Sequence, residues 1–224
     1  MNKVMNLSEV SRFVQSGMTV MIGGFANYGA PIHLVHALCD AGIKDLTVIA
    51  DDPSEQNHNC DEGLTVLLQH HVIKKAIMSF IGTSKLAIQQ VLDKEFEIEF
   101  VPQGTLVERI HAGGAGLGGF YTPTGVGTEV AIGKETKVID GKTYLLEKPL
   151  TADVALVKAY RADPMGNAQF LYTGANFNLH MAMAAKTTIL EVEELVNVGD
   201  IDPSAVQLPG IFVDHIVVAK EVLL

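Results

Sequence analysis

Four short apolar runs, each followed by a loop and then by a segment with helical spacing, restrict the fold more than any other feature of this chain. They are MTVMI (Met18–Ile22), DLTVIA (Asp45–Ala50), KKAIMSFIG (Lys74–Gly82) and FEIEFVP (Phe96–Pro102). Runs of this length, rich in Val, Ile and Phe, read as strands. Between them IHLVHALCDAG is amphipathic and ends at Gly42, a second helix begins near Leu64, and a third runs from about Ser84 to Asp93. Strands that alternate with helices are joined by right-handed crossovers, so the predicted fold is α/β, an open, mainly parallel sheet with helices on both faces. Ahead of the first strand, Leu7, Val10 and Val14 predict a helix over Leu7 to Gln15, capped by Asn6 or Ser8.

After Gly127 the pattern changes. TKVIDGKTYLLE sets Asp140-Gly141 between two β-rich runs, a strong hairpin signal. DVALVKAYRADPMGNAQFLY reads as a second strand pair turning at Asp163 to Asn167, and TTILEVEELV and HIVVAKEVL as further strands. These segments predict an antiparallel annex within one domain spanning residues 1–224. With 48% apolar residues in 224, the chain suffices for one sizeable core.

Charge narrows the partners. A net charge of −10, with 16 Lys and Arg scattered along the chain, argues against a nucleic-acid surface. The N-terminus, MNKVMNLSEVSRFVQSG, lacks the apolar core of a signal peptide, and no run approaches the roughly 20 apolar residues of a membrane span. The expectation is a cytoplasmic protein with neither nucleic acid nor membrane as partner. Cys39 and Cys60 make no disulfide framework and suit a reducing compartment.

Ligands of open α/β sheets bind beyond the carboxyl ends of the strands, and two glycine-rich segments fall there. In the first, Gly23-Gly24-Phe25-Ala26-Asn27-Tyr28-Gly29, bare N–H groups before the helix near Ile32 offer a site for a phosphate or carboxylate; the alternative is a plain tight turn. The second holds eight of the chain's 21 glycines between Gly104 and Gly127. Gln103 stands at its head, where a side-chain amide is placed to donate to a developing oxyanion, or else serves loop carbonyls.

Other clusters read as structural. His33, His36 and Cys39 share a helix face at a spacing of three but match no zinc pattern, so no metal is predicted. His58, Cys60, Asp61 and Glu62 fall in a polar loop, and the adjacent His70 and His71 face different sides of a helix. Glu108 and Arg109 read as a structural ion pair. The local chemistry is half a site: backbone donors, an amide and small residues, without a convincing nucleophile.

The residues that remain resemble a known family. SGMTVMIGGFANYGAP (Ser16 to Pro31) follows the family I CoA-transferase signature of Asp or Asn, Gly, two free positions, three apolar residues, GGF, three free positions, Gly, one free position and Pro. Ser16 replaces the usual Asp or Asn. VPQGTLVERIHAGGAGLGGFYTPTGVGTEV (Val101 to Val130) resembles the family's most distinctive segment, and Asn176-Phe177-Asn178, MAMAAKTTILEVEELV and LPGIFVDHIVV also fit. The chain is thus similar, over nearly its full length, to α subunits of the acetate, acetoacetate and butyrate type.

The resemblance implies a division of labour. A glutamate on a β subunit would attack the acyl-CoA carbonyl and pass through an acyl-glutamyl anhydride to a glutamyl-CoA thioester. Gln103 matches the glutamine that donates to the oxyanion, and Gly23 to Gly29 match the segment assigned to CoA binding. CoA enters as a co-substrate, no cofactor is tightly bound, and the partner is the β subunit in an α2β2 or larger assembly. The glycine run, Gly114 and Gly116 included, would let the pantetheine arm and a small acyl group pass close to backbone. Asp51-Asp52 stand where the family commonly has an Asn pair or Asn-Asp near the acyl or acceptor group, ahead of a polar loop, Pro53 to Gly63, that is longer than usual. An extra carboxylate there disfavours acidic acyl groups such as succinyl unless burial neutralises it, or favours a substrate with an amino group, or else points to solvent. Two other classes are weighed against this. A non-catalytic sensor of a small ligand or CoA carries no attached DNA-binding segment here, and a sugar-phosphate isomerase would need an acid and base that do not stand out.

Overall fold

The computed structural model describes residues 2–54 and 63–219. The predicted alternation is present as β1 (Thr19–Ile22), α1 (Ile32–Asp40), β2 (Leu46–Ile49), α2 (Thr65–Gln69), β3 (Ile73–Met78), α3 (Lys85–Leu92), β4 (Glu97–Phe100) and α4 (Gln103–Gly114). Three short antiparallel strands follow, β5 (Phe120–Thr122), β6 (Thr136–Ile139) and β7 (Lys142–Glu147). The chain then enters β8 (Ala152–Ala162), β9 (Ala168–Gln169), α5 (Asn178–Ala184), β10 (Ala185–Leu195) and β11 (His215–Val218).

The main sheet runs β11-β10-β8-β1-β2-β3-β4, and every pair along that path is parallel. Winding proceeds one way from β1 through β4 and the other way from β8 through β11, so the direction reverses between β1 and β8. In open α/β sheets such a reversal is where ligands approach the carboxyl ends of the strands, here beside the turn that leaves β1.

Alternation along each strand builds a core on either face. Val20 and Ile22 of β1 point to one side and Met21 to the other; Val48 and Ile49 of β2 divide in the same way. Leu34, Val35 and Leu38 of α1, Leu67 of α2 and Ala87 of α3 cover the first face. Leu106 and Ile110 of α4, with Met181 of α5, cover the second. The helices on both faces are therefore as the sequence predicts. Among the described residues no helix is long and apolar enough to cross a membrane.

Three expectations are corrected. The annex is limited to β5, β6 and β7, with β9 as a short antiparallel partner of β8. β8, β10 and β11 rejoin the parallel sheet, because ADVALVKAYRA is buried along most of its length, the pattern of a strand covered on both faces. The segment after Asn6 forms a 3-10 helix, Leu7–Arg12, and Glu9 accepts from the Asn6 N–H at 3.0 Å in a capping box. Arg109 does not pair with Glu108; it joins Glu99 at 2.9 Å and the Lys148 carbonyl at 2.9 Å, clipping α4 to β4 and the annex, while Glu108 meets His111. The predicted hairpin is present, with Asp140 and Gly141 both at positive φ (50° and 76°), as a tight primed turn requires.

Candidate active site

The turn leaving β1 is a small closed hairpin. The Phe25 N–H donates to the Tyr28 carbonyl at 3.1 Å and the Tyr28 N–H to the Phe25 carbonyl at 2.9 Å. Ala26 and Asn27 at its tip have φ of 47° and 73°. A left-handed alanine costs about 1–2 kcal/mol, so something must hold it. Asp52 does, accepting the Ala26 N–H at 2.9 Å with one oxygen and the Ser54 N–H at 2.6 Å with the other. The rings of Phe25 and Tyr28 are left 46% and 69% exposed at the rim.

Asn178 supports this turn from behind. It is fully buried, its Nδ2 donates to the carbonyls of Gly29 (2.9 Å) and Gly174 (2.8 Å), and its Oδ1 accepts the Lys158 N–H (3.0 Å). Asn176 adds a bond from its Nδ2 to the Tyr28 carbonyl at 2.8 Å. The glycines of the turn thus serve this internal scaffold as well as any visitor.

The first turn of α1 is occupied by a side chain of the protein itself. Glu191 of β10, fully buried, accepts the Leu34 N–H at 3.1 Å and lies 3.1 Å from His33 Nδ1. A carboxylate is what a helix N-terminus favours, and here it comes from within the fold. Glu191→Ala would leave the Leu34 N–H without its acceptor and is expected to cost about 1–3 kcal/mol, read as a lower urea midpoint.

Asp51, Ser79 and Gln103 meet at the carboxyl ends of the neighbouring strands β2, β3 and β4. Gln103 is the first residue of α4 and its side chain is exposed. Its Nε2 donates to Asp51 Oδ2 at 2.9 Å, which leaves the second amide hydrogen for a ligand. The Ser79 hydroxyl lies 2.7 Å from Asp51 Oδ1 and 3.1 Å from the Asp51 main-chain oxygen. Asp51 is only 2% exposed, so the alternative that it points to solvent is replaced. Burial raises its pKa from its ordinary value; hydrogen bonds from Ser79 and Gln103 oppose that shift and neighbouring Asp52 adds to it. Beside Ser79 opens an apolar groove of about 440 Å³, lined chiefly by Phe80, Ile81, Phe100, Pro102 and Val130.

Gly114 and Gly116 do not share this rim. The second glycine-rich segment begins as α4, which runs back along the sheet and carries them about 16 Å from Gln103 along the helix axis. A Cβ on Gly114 would lie 2.8 Å from that of Met183, at the end of α5, so this glycine allows two helices to approach. Gly116, at φ 70°, ends α4: its N–H bonds to the Gly113 carbonyl and the Leu117 N–H to that of Ala112. Both therefore stand at the far end of α4 from Gln103, Gly114 packed against Met183 and Gly116 ending the helix.

Among the described residues no three His, Cys, Asp or Glu side chains converge as metal ligands. Burial, with Asp40 close by, pushes the Cys39 thiol up to about 11, so it is inert at neutral pH. His70 and His71 are exposed. His58, Cys60, Asp61 and Glu62, with most of the polar loop, lie outside the described residues. Ser79 and Glu191 were not singled out by the sequence, since their roles depend on partners in other elements.

Known proteins resemble this chain in sequence and in fold. Residues 4–219 match the family described as Coenzyme A transferase. The chain is 45% identical over 219 residues to the alpha chain of the acetate CoA-transferase of Escherichia coli K12, covering 98% of each chain. It is 49% identical over 221 residues to the corresponding chain of the probable succinyl-CoA:3-ketoacid coenzyme A transferase of Bacillus subtilis, covering 97% of this chain and 90% of that one. Its fold is like that of an acyl-CoA transferase from E. coli O157:H7, solved as a thioester complex with CoA, with a TM-score of 0.84 at 22% identity. The likeness covers 97% of this chain and 47% of that longer one, so this chain spans about half of it.

Proposed function

This chain belongs to the Coenzyme A transferase family, as the counterpart of its α subunits, and on that premise we propose how it divides the reaction with a β subunit. The observation that carries the proposal is the Gln103 amide, fixed by Asp51 at the carboxyl edge of the sheet with one hydrogen still to give. A carboxylate of the partner attacks the thioester carbonyl, the C–S bond breaks, and CoA leaves as its thiolate. The thiolate then attacks the partner's acyl-glutamyl anhydride, releasing the first carboxylate and leaving CoA on the glutamate. An acceptor carboxylate reverses the sequence, and no external energy source is required, because each step exchanges one activated acyl carrier for another. Gln103 stabilises the oxyanion of each tetrahedral intermediate. The Gly23 to Gly29 turn, with the exposed rings of Phe25 and Tyr28, is the surface offered to CoA.

The acyl group we assign is uncharged and short: acetyl, butyryl or acetoacetyl. The groove beside Ser79 supports this choice, since among the described residues its lining has apolar side chains and no cation to pair a second carboxylate. An unpaired carboxylate placed there loses its hydration without compensation. Asp51 itself is not the discriminator, because its carboxyl faces Ser79 and Gln103.

Coproduction with a β subunit should give CoA transfer from acetoacetyl-CoA to acetate, with none from this chain alone. In the complex, kcat/KM for butyryl-CoA is expected to exceed that for succinyl-CoA by at least about tenfold. Transfer by the isolated chain would refute the shared site, and a preference for succinyl-CoA would refute the acyl assignment.

A further inference from the structure

The relation between Asp51 and Gln103 sets a condition on the oxyanion donor. Resting on the role proposed above for Gln103, we infer that Asp51 is a positioning residue that works as a neutral carboxylic acid, holding the Gln103 amide in place without putting a negative charge beside the oxyanion.

The hydrogen bonds fit either protonation state without moving a heavy atom. When Asp51 is ionised, Oδ1 accepts from Ser79 Oγ at 2.7 Å and Oδ2 from Gln103 Nε2 at 2.9 Å. When it is neutral, the proton sits on Oδ1 and is donated to Ser79 Oγ. The Ser79 hydroxyl then turns its own hydrogen to the Asp51 main-chain oxygen, 3.1 Å away. Oδ2, now a carbonyl oxygen, still accepts from Gln103. A serine within reach of both oxygens is the element that makes the neutral state complete.

Electrostatics selects between the two. An oxyanion bound to the free amide hydrogen of Gln103 lies within about 6 Å of Asp51 Oδ2, and at an effective dielectric near 20 its repulsion by an ionised Asp51 is about as large as the benefit of one oxyanion donor. An ionised Asp51 would cancel much of what Gln103 supplies; a neutral one leaves it intact, as when a carboxylic acid is kept protonated in an apolar site to serve a developing anion. Of the elements packed against it, β3 presents Ser79 and α4 presents Gln103, both uncharged. Asp52, on its own loop, is the one charged group among the described residues that acts on it. Burial, the largest influence, and Asp52 favour the neutral form, while the hydrogen bonds from Ser79 and Gln103 oppose it.

The test compares wild type, Asp51→Asn and Asp51→Ala in the complex with the β subunit, measuring kcat and KM for acetoacetyl-CoA across the pH range in which the complex is stable. Asn supplies the same acceptor with no charge at any pH. The expected result is an alkaline limb in wild-type kcat that is absent in Asp51→Asn, so that the ratio of variant to wild type climbs up to about tenfold per pH unit through the Asp51 titration. Asp51→Ala, which removes the anchor, should lose about tenfold or more in kcat at pH values where wild-type Asp51 is neutral, while KM changes little. An alkaline limb unchanged in Asp51→Asn, or an Asp51→Asn variant as slow as Asp51→Ala throughout, would overturn the inference. Carbon-13 NMR of the aspartate carboxyls in the same complex gives a reading independent of turnover. One carboxyl, missing in Asp51→Asn, should titrate above the ordinary range; an Asp51 ionised together with the other aspartates would overturn the inference even if no acyl-CoA is turned over. A wild-type complex without transferase activity would count against the function proposed above, and the NMR titration would still decide the state of Asp51.

Discussion

Gln103→Ala is expected to lower kcat for CoA transfer by about 10²–10³, with KM and folding stability little changed. The size of the loss follows from the loss of one donor aimed at charge that exists only in the tetrahedral intermediates. Stability should hold within about 1 kcal/mol, because Gln103 is exposed and Asp51 keeps its Ser79 partner. Steady-state kinetics on the complex, with urea unfolding as the control, separates the two effects. A loss confined to KM would mean that Gln103 binds ground-state substrate, and a loss below about threefold would remove it from the oxyanion site.

The second large effect is on folding. In Gly23→Ala the new Cβ would fall 1.8 Å from Asn178 Oδ1 and 2.6 Å from its Cγ, distances at which something must move. Asn178 is poorly able to give way, being fully buried with three backbone groups tied to its amide. Displacing it combines overpacking with broken buried hydrogen bonds, so a loss of about 3 kcal/mol or more is expected, a large share of a typical domain's stability. Gly116→Ala is the internal comparison: a Cβ there meets nothing within 4 Å, and the cost is that of a left-handed alanine alone, about 1 kcal/mol. Chemical denaturation ranks the two, and adding Asn178→Ala to Gly23→Ala should cost less than the sum of the single changes. If Gly23→Ala proves no worse than Gly116→Ala, the packing account of the turn fails.

The parts of the fold legible in the sequence are those governed by local rules. Alternating runs fixed β1 to β4 and their helices, and Asp140-Gly141 identified its hairpin because only a primed turn accommodates both residues at positive φ. β8 was obscured because the Asp163 to Asn167 turn does return the chain antiparallel, as β9, while β8 itself pairs in parallel with β1 and β10. Gly113 and Gly114 belong to the glycine-rich segment after Gln103, and glycine is a poor helix former; the structure places them in α4, against Leu150 and Met183, where a side chain would not fit.

At the site, Gln103 was legible because it stands at the junction of a strand and its following segment, where open α/β sheets present ligand contacts. Its partners were not. Asp51 and Ser79 become neighbours of Gln103 only when β2, β3 and β4 lie side by side, and Glu191 reaches the start of α1 from the far half of the chain. Long-range burial of this kind leaves no local pattern, and it is also what decides whether the extra carboxylate of Asp51 acts as a charge or as an acid.

The most direct test of the shared site is to mix the complex with acetoacetyl-CoA in the absence of an acceptor, quench with acid and weigh both chains by mass spectrometry. The expected result is a CoA-sized increment on the β chain and none on this one, with the increment forming about 10²–10³ more slowly in Gln103→Ala. An increment on this chain itself would contradict the account, because the attacking carboxylate would then lie here and not across the interface.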